Sequence, residues 1–244
     1  MARYQVILAY DGSLFKGFQR QARARTVQGE FEAALRGLGW QSRSILSAGR
    51  TDTGVHALGQ VVAFDLDWTH DCDDLLHALN AALPEDIAVQ AVRQAPANFH
   101  PRFHAVARTY RYRIYCRQVR DPLRERYAWR VWPEPELEVL HAAARMFVGR
   151  HDFAAFGAPL RAGSSTVREI LTSGWEINGD ELTFVVSANA FLYHMVRRMV
   201  FLQIRVGQGL AALEELRGGL ERGQTQTPGL APARGLTLLE VKYS

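Results

Sequence analysis

Apolar residues follow two different periods along this chain, and the order in which those periods appear occurs twice. Residues 3–10 (Arg-Tyr-Gln-Val-Ile-Leu-Ala-Tyr) are rich in β-branched and aromatic side chains and predict a strand. Val27, Phe31, Leu35 and Leu38 then recur at helical spacing behind Thr26, a good N-cap, and predict a helix over 27–38. Short strands fit 43–48 and 59–66. Asp71 opens a second helix with Asp73 and Asp74 in its first turn, where the macrodipole favours anions, and with an apolar face of Leu75, Leu76, Leu79 and Leu83. Pro84 ends that helix, and 87–93 returns as a strand, so the order is β-α-β-β-α-β.

The second half repeats the pattern. A strand is predicted from Arg108 to Cys116 and a helix over 136–148, with Leu137, Leu140, Ala144 and Phe147 on one side. Strands fit 168–177 and 181–188 around an Asn178-Gly179 turn, a helix fits 190–206, and a last strand runs from Leu236 to Tyr243. Two split β-α-β units predict an α+β fold: two similar ferredoxin-like halves, as in RNA-recognition domains, with mostly antiparallel sheets and helices on one face. The halves divide as residues 1–104 and 105–244, and Gly223–Pro232, rich in Gln, Thr, Pro and Gly, is a loop.

Composition excludes several classes. With 244 residues, 48% hydrophobic and 22% charged, the chain is neither disordered nor fibrous. No apolar run approaches the roughly 18–20 residues of a membrane span. The run Val6–Tyr10 is too short for a signal-peptide core, so a cytoplasmic protein is expected. Cys72 and Cys116 stand far apart, which excludes a disulfide scaffold and a zinc ribbon and leaves two reduced thiols.

Charge is more informative. The net charge is only +4, yet Lys16 and Lys242 are the only lysines among 29 cations. Arginine suits bidentate phosphate contacts and stacking on bases. GC-rich coding explains an arginine surplus but not its clustering: nine arginines lie between Arg102 and Arg130 against Asp121 and Glu125. Such a block reads as a polyanion footprint, with Arg111, Arg113, Arg117, Arg120 and Arg124 as candidate phosphate contacts.

The segment richest in chemistry is Ala48-Gly49-Arg50-Thr51-Asp52-Thr53-Gly54-Val55-His56-Ala57. Glycines on either side of Asp52 permit a tight path, and Thr51 and Thr53 can lock the loop locally. Val55 stands where a phosphate-cradling loop needs Lys, so a nucleotide-binding P-loop is a poor match. An Asp between two glycines is by default a turn residue. An extended Arg50-Thr51-Asp52 would put Arg50 and Asp52 on one side, where the guanidinium can hold the carboxylate ionised.

With these residues the chain resembles the bacterial tRNA pseudouridine synthase A family. The resemblance rests on Gly49–Ala57 followed by Gln60-Val61 and Phe64; on Tyr10-Asp11-Gly12 with Phe15-Lys16-Gly17-Phe18-Gln19; and on Phe103-His104-Ala105 with Tyr110-Arg111-Tyr112. It continues through Gly149–Phe153 with Phe156, Phe191–Arg198, and Gly235–Leu238 with Val241 and Tyr243, in order and nearly end to end.

The resemblance implies a pseudouridine synthase fold, its two halves forming a central basic cleft, and isomerisation of uridine at positions 38, 39 and 40 of the tRNA anticodon stem-loop. No metal or other cofactor is implied. The partners implied are tRNA and a second copy of the chain as a homodimer, with no membrane. The family's essential carboxylate falls on Asp52, which acts as an anion by attacking sugar or uracil or by taking a sugar proton; an ordinary aspartate is already anionic at neutral pH. The target base lies in a stack and must be flipped out. Arg50 matches the arginine that fills its place, Tyr110 the tyrosine that stacks on the uracil, Arg197 a second partner for the carboxylate, and Leu236 an apolar residue beneath the base.

Period-two reading alone makes Tyr110 a core residue and Arg111 RNA-facing, and here the resemblance overrides the pattern; the usual placement of leucine makes Leu236 a core residue. Arg197 is favoured over Arg198, although both could simply snorkel from a buried helix. Phe201 and Ala190 depart from the glycines usual in the family and add bulk to that helix.

Two other readings fit parts of the sequence. His151-Asp152 and the His100/His104 spacing suggest a metal-dependent phosphohydrolase, but Pro101 biases His100 away from helix. Paired β-α-β units with aromatics also describe a non-catalytic RNA-binding protein.

Overall fold

The computed structural model describes residues 1–161 and 163–244, which form two compact units, Met1–Val106 with Thr237–Ser244, and Ala107–Leu236. In the first unit, strands β1 (Ala2–Tyr10), β2 (Leu46–Ser47), β3 (His56–Leu66) and β4 (Ile87–Ala95) combine with helices α1 (Val27–Gly37) and α2 (Cys72–Ala82). β1 lies between β3 and β4, antiparallel to both. Alternate residues Tyr4, Val6, Leu8 and Tyr10 of β1 are buried, as a period of two requires for a strand with one face on the core. Phe31 of α1 packs against Phe64 of β3 with ring centroids 5.9 Å apart, and Tyr4 stacks on the same Phe64.

Both helices start where expected. The Thr26 side chain accepts from the Gly29 amide and the Asp71 side chain from the Asp74 amide, satisfying donors that a helix start leaves open.

The second unit contains β5 (Ala105–Cys116), β6 (Trp129–Val131), β7 (Gly149–Asp152), β8 (Val167–Asn178) and β9 (Glu181–Ala188), with α3 (Leu137–Met146), α4 (Met195–Gly207) and α5 (Leu213–Arg222). Its sheet runs β5-β9-β8-β7, all antiparallel, and β6 adds in parallel to β5. The β8–β9 hairpin turns through Gly179 at φ +60°.

Among the departures from the sequence reading, three change how the chain is organised. The last strand, β10 (Leu236–Tyr243), pairs in parallel with β3 through Thr237↔His56 and Leu238↔Ala57, so the C-terminal residues complete the first unit's sheet. Gly59 makes room for it, since a Cβ there would lie 2.3 Å from the Leu239 carbonyl oxygen. Next, α4 begins at Met195 rather than near 190. Ala158 and Tyr193 exchange backbone hydrogen bonds of 3.2 and 2.9 Å, and His194 takes φ +65°, a left-handed conformation that interrupts any helix. Third, α5 has no counterpart in the sequence reading: Gly218 and Gly219 lower its helix propensity, but Leu216 is fully buried and Gly219 packs on Phe156. Among the described residues no helix is long and apolar enough to cross a membrane.

Candidate active site

The loop bearing Asp52 is held from beneath by the segments whose motifs accompany it in sequence. Thr51 is buried, Arg50 is exposed and Asp52 is half-buried. The Thr51 hydroxyl hydrogen-bonds the buried Tyr10 hydroxyl at 2.8 Å. The Thr51 carbonyl accepts from the Phe18 amide at 3.0 Å, the Gly49 carbonyl from the Gln60 side chain at 3.1 Å, and the Asp52 carbonyl from the Val55 amide at 3.1 Å. Gly54 at φ +79° turns the chain directly after Asp52 and Thr53. Main-chain bonds, the Thr51 hydroxyl and the Gln60 side chain thus all hold this loop.

Gly12 is the tightest point of this support. Its amide donates to His56 Nδ1 at 3.0 Å, and a Cβ on it would sit 2.0 Å from the Val55 carbonyl oxygen. No rotamer relieves a clash with backbone, so residue 12 must be glycine for β1 to lie this close to the loop. In the sequence, Tyr10-Asp11-Gly12 and Phe15–Gln19 stand only as separate motifs. Tyr10, Gly12, Phe18, His56 and Gln60 are the supporting residues that sequence reasoning missed as a group.

Burial raises the Tyr10 phenol to about 12, against smaller opposing effects of its bonds to Thr51 and Gln60. It therefore remains a neutral hydroxyl across ordinary assay pH. Tyr10→Phe leaves the buried Thr51 hydroxyl without that partner, which costs about 1–3 kcal/mol. For a chain of this size the melting temperature should fall by roughly 2–12 °C. Calorimetry checks this, and an unchanged Tm would show that the bond does not brace the loop.

The Arg50–Asp52 ion pair expected from sequence does not form: Arg50 is exposed, with no ion pair among the described residues.

In the second unit, Tyr110 shares a face of β5 with the fully buried Tyr112 and Ile114 but is itself only half-buried, its ring edge-on to Phe191 at 5.1 Å. Leu236 is buried, as its apolar character predicts. Arg197 and Arg198 separate clearly. Arg198 donates to the Gly229 and Thr227 carbonyls and the Thr225 hydroxyl, tying the 225–229 segment to α4. Arg197 donates through Nε to the Ala231 carbonyl at 2.8 Å. Phe201 fills the space above Gly229, where a Cβ would lie 2.2 Å from its ring, and stacks on Trp129. The bulk of Phe201 is thus absorbed by this loop and Trp129. Nothing in the structure explains Ala190.

The arginine block is less cationic than its sequence suggests. Arg113 binds Glu181 through two bonds of 2.7 and 2.9 Å, and both Arg117 and Arg124 bind Asp180. Arg124 and Arg117 hold the Asp180 carboxyl at about 2, so it is ionised and neutralising at any working pH. Asp180 and Glu181 come from the β8–β9 turn, more than fifty residues away in sequence, where a local charge count does not see them. Of the five arginines expected to meet phosphate, Arg113, Arg117 and Arg124 are committed to carboxylates.

The residues that suggested a metal site serve turns instead. His100 Nδ1 accepts from the Arg102 amide, His104 Nδ1 from the His100 amide, and Asp152 from the Ala154 amide. Among the described residues no group of three or more His, Cys, Asp or Glu side chains could hold a metal ion.

Comparison with known proteins gives the family. The model of the tRNA pseudouridine synthase family matches residues 6–104 and 143–244. The tRNA pseudouridine synthase A of Streptococcus equi subsp. equi (strain 4047) is 40% identical over 248 residues, covering 100% of this chain and 99% of that one. Those of Brevibacillus brevis and of Methylobacterium sp. (strain 4-46) are 40% and 41% identical, each over 100% of this chain. Similar end to end to these enzymes, with an aspartate on a braced turn, the chain belongs to the tRNA pseudouridine synthase A family, whose members isomerise uridine to pseudouridine in tRNA.

Proposed function

We propose that the chain acts on uridines 38, 39 and 40 of the tRNA anticodon stem-loop, with Asp52 as the essential carboxylate. The observation that carries this reading is the loop itself: a half-buried aspartate on a tight turn whose backbone is bonded by Tyr10, Phe18, Val55 and Gln60. In the reaction the bond between ribose C1′ and uracil N1 breaks and a bond from C1′ to C5 forms. C5 loses its hydrogen as a proton and N1 gains one, so no electrons enter or leave. The Asp52 anion serves each route open to it: attack at the sugar, attack at the base, or removal of a sugar proton.

Arg50, exposed and carrying no ion pair among the described residues, is the side chain proposed to occupy the space left by the flipped base. Tyr110 stacks on the uracil, Leu236 lies beneath it, and Arg197 is the second partner of the carboxylate. The engagement of Arg198 with the 225–229 segment supports the choice of Arg197. A homodimer in the cytoplasm that uses no cofactor completes the proposal.

The test is to map pseudouridine by carbodiimide modification and primer extension on an unmodified tRNA transcript carrying uridine at all three positions. Stops at 38, 39 and 40 alone are expected. Modification elsewhere in the tRNA would contradict the assigned positions.

A further inference from the structure

Beyond the residues assigned to the reacting base, the turn at 99–104 in the first unit holds an aromatic ring in solvent. Phe103 is 74% exposed, and its ring lies 4.2 Å from that of His100. Everything under it is fixed. The His104 amide donates to the His100 carbonyl, the Arg102 amide to His100 Nδ1, the Phe99 amide to the Pro96 carbonyl, and the His100 amide to His104 Nδ1. The Tyr243 hydroxyl donates to the Pro101 carbonyl at 2.9 Å, and Arg3 to the Phe99 carbonyl at 3.0 Å. Phe99 packs against both Tyr243 and His104. The turn is rigid, and its one large apolar side chain that is exposed points away from the core that anchors it.

A phenyl ring kept in water on a fixed backbone forgoes burial, and it is preorganised to bind because little ordering remains to be done. The ligand it suits is set by the surroundings. No Asp or Glu occurs between Asp86 and Asp121, and Arg102 next to the ring is exposed. Each histidine of the turn accepts a backbone hydrogen through Nδ1, and burial first, then nearby cations, pushes the His100 imidazole below its usual range. An imidazole face under an exposed phenyl ring, beside a guanidinium, is chemistry for a flat π-system attached to a phosphate.

We propose that Phe103, backed by His100, is a stacking platform for an unpaired base of the tRNA substrate other than the uridine being isomerised. The proposal rests on tRNA being the substrate. Arg102 then faces the adjoining phosphate.

The test compares tRNA-transcript affinity for wild type, Phe103→Leu and Phe103→Trp, with melting curves to show that each variant is folded. Phe103→Leu keeps apolar bulk and loses the π face, so Kd should rise by roughly 5- to 150-fold. kcat/KM should fall by a similar factor, and Phe103→Trp should restore both. The slope of log Kd against log salt should not change, because no cation is removed. The extra indole emission that Phe103→Trp adds over wild type should be quenched as tRNA is added. Unchanged affinity in Phe103→Leu overturns the proposal. So does a loss that sedimentation traces to dissociation of the protein into smaller species, which would make this ring a contact between copies. A wild-type protein that fails to bind tRNA would instead overturn the substrate assignment on which the proposal stands.

Discussion

Asp52→Asn is expected to reduce pseudouridine formation on a tRNA transcript by roughly 10,000-fold or more, a barrier increase of about 5 kcal/mol. Affinity for the transcript should be unchanged or tighter, because the substitution removes a negative charge facing a polyanion. The amide is nearly the size of the carboxylate, and the loop is not held by that side chain alone. Val55 bonds the main-chain carbonyl of residue 52, and Thr51 is anchored to Tyr10 and to the Phe18 amide. Loop shape should survive and only the anion be lost. Chromatography of digested nucleosides gives the product, and filter binding gives Kd. A passive RNA-binding protein would lose nothing. Turnover within tenfold of wild type would show that the reaction does not depend on this oxygen.

Glu32→Ala should be strongly destabilising. Glu32 lies on α1 with no exposed surface, yet it is a carboxylate. It is paired with the Arg20 guanidinium and accepts from the Gln28 side chain at 2.8 Å and the Ile45 amide at 3.2 Å. Removing one member of a buried ion pair costs about 3–5 kcal/mol. Arg20 is 40% exposed and can regain water, so the lower end applies, with a fall in Tm of roughly 6–12 °C. The effect should reach the active site, since Arg20 closes the segment whose Phe18 amide supports Thr51. Glu32→Gln retains an acceptor for the Ile45 amide and should cost less. A melting temperature within a degree of wild type for Glu32→Ala would show that this buried charge is not structural.

The legible parts of the fold were those where local chemistry decides structure. Thr26 and Asp71 cap their helices because their side chains reach amides three residues on, a relation contained in the sequence itself. The alternation in β1 and β5 was equally plain. What was missed depends on partners distant in sequence. β6 and β7 are three and four residues long, too short to show a period, and exist because β5 and β8 offer them edges. The left-handed His194 and the Ala158–Tyr193 bridge delay α4, although Phe191–His194 reads as helix in isolation.

The candidate site shows the same division. Asp52 stood out because glycines, threonines, Arg50 and His56 crowd around it in the chain. Its support by Tyr10 and Gly12 comes from a strand some forty residues earlier and could be inferred only through the family resemblance. The arginine block misled for a related reason: Asp180 and Glu181 neutralise part of it from a hairpin that a local count ignores.

The most direct measurement is release of tritium from a tRNA transcript labelled at uridine C5, incubated with the purified protein in EDTA. Isomerisation must expel the C5 hydrogen, so one label should appear in water for each uridine converted, at the same rate with or without chelator. Retention of the label, or release that stops on chelation, would contradict a carboxylate-driven rearrangement that joins C1′ to C5.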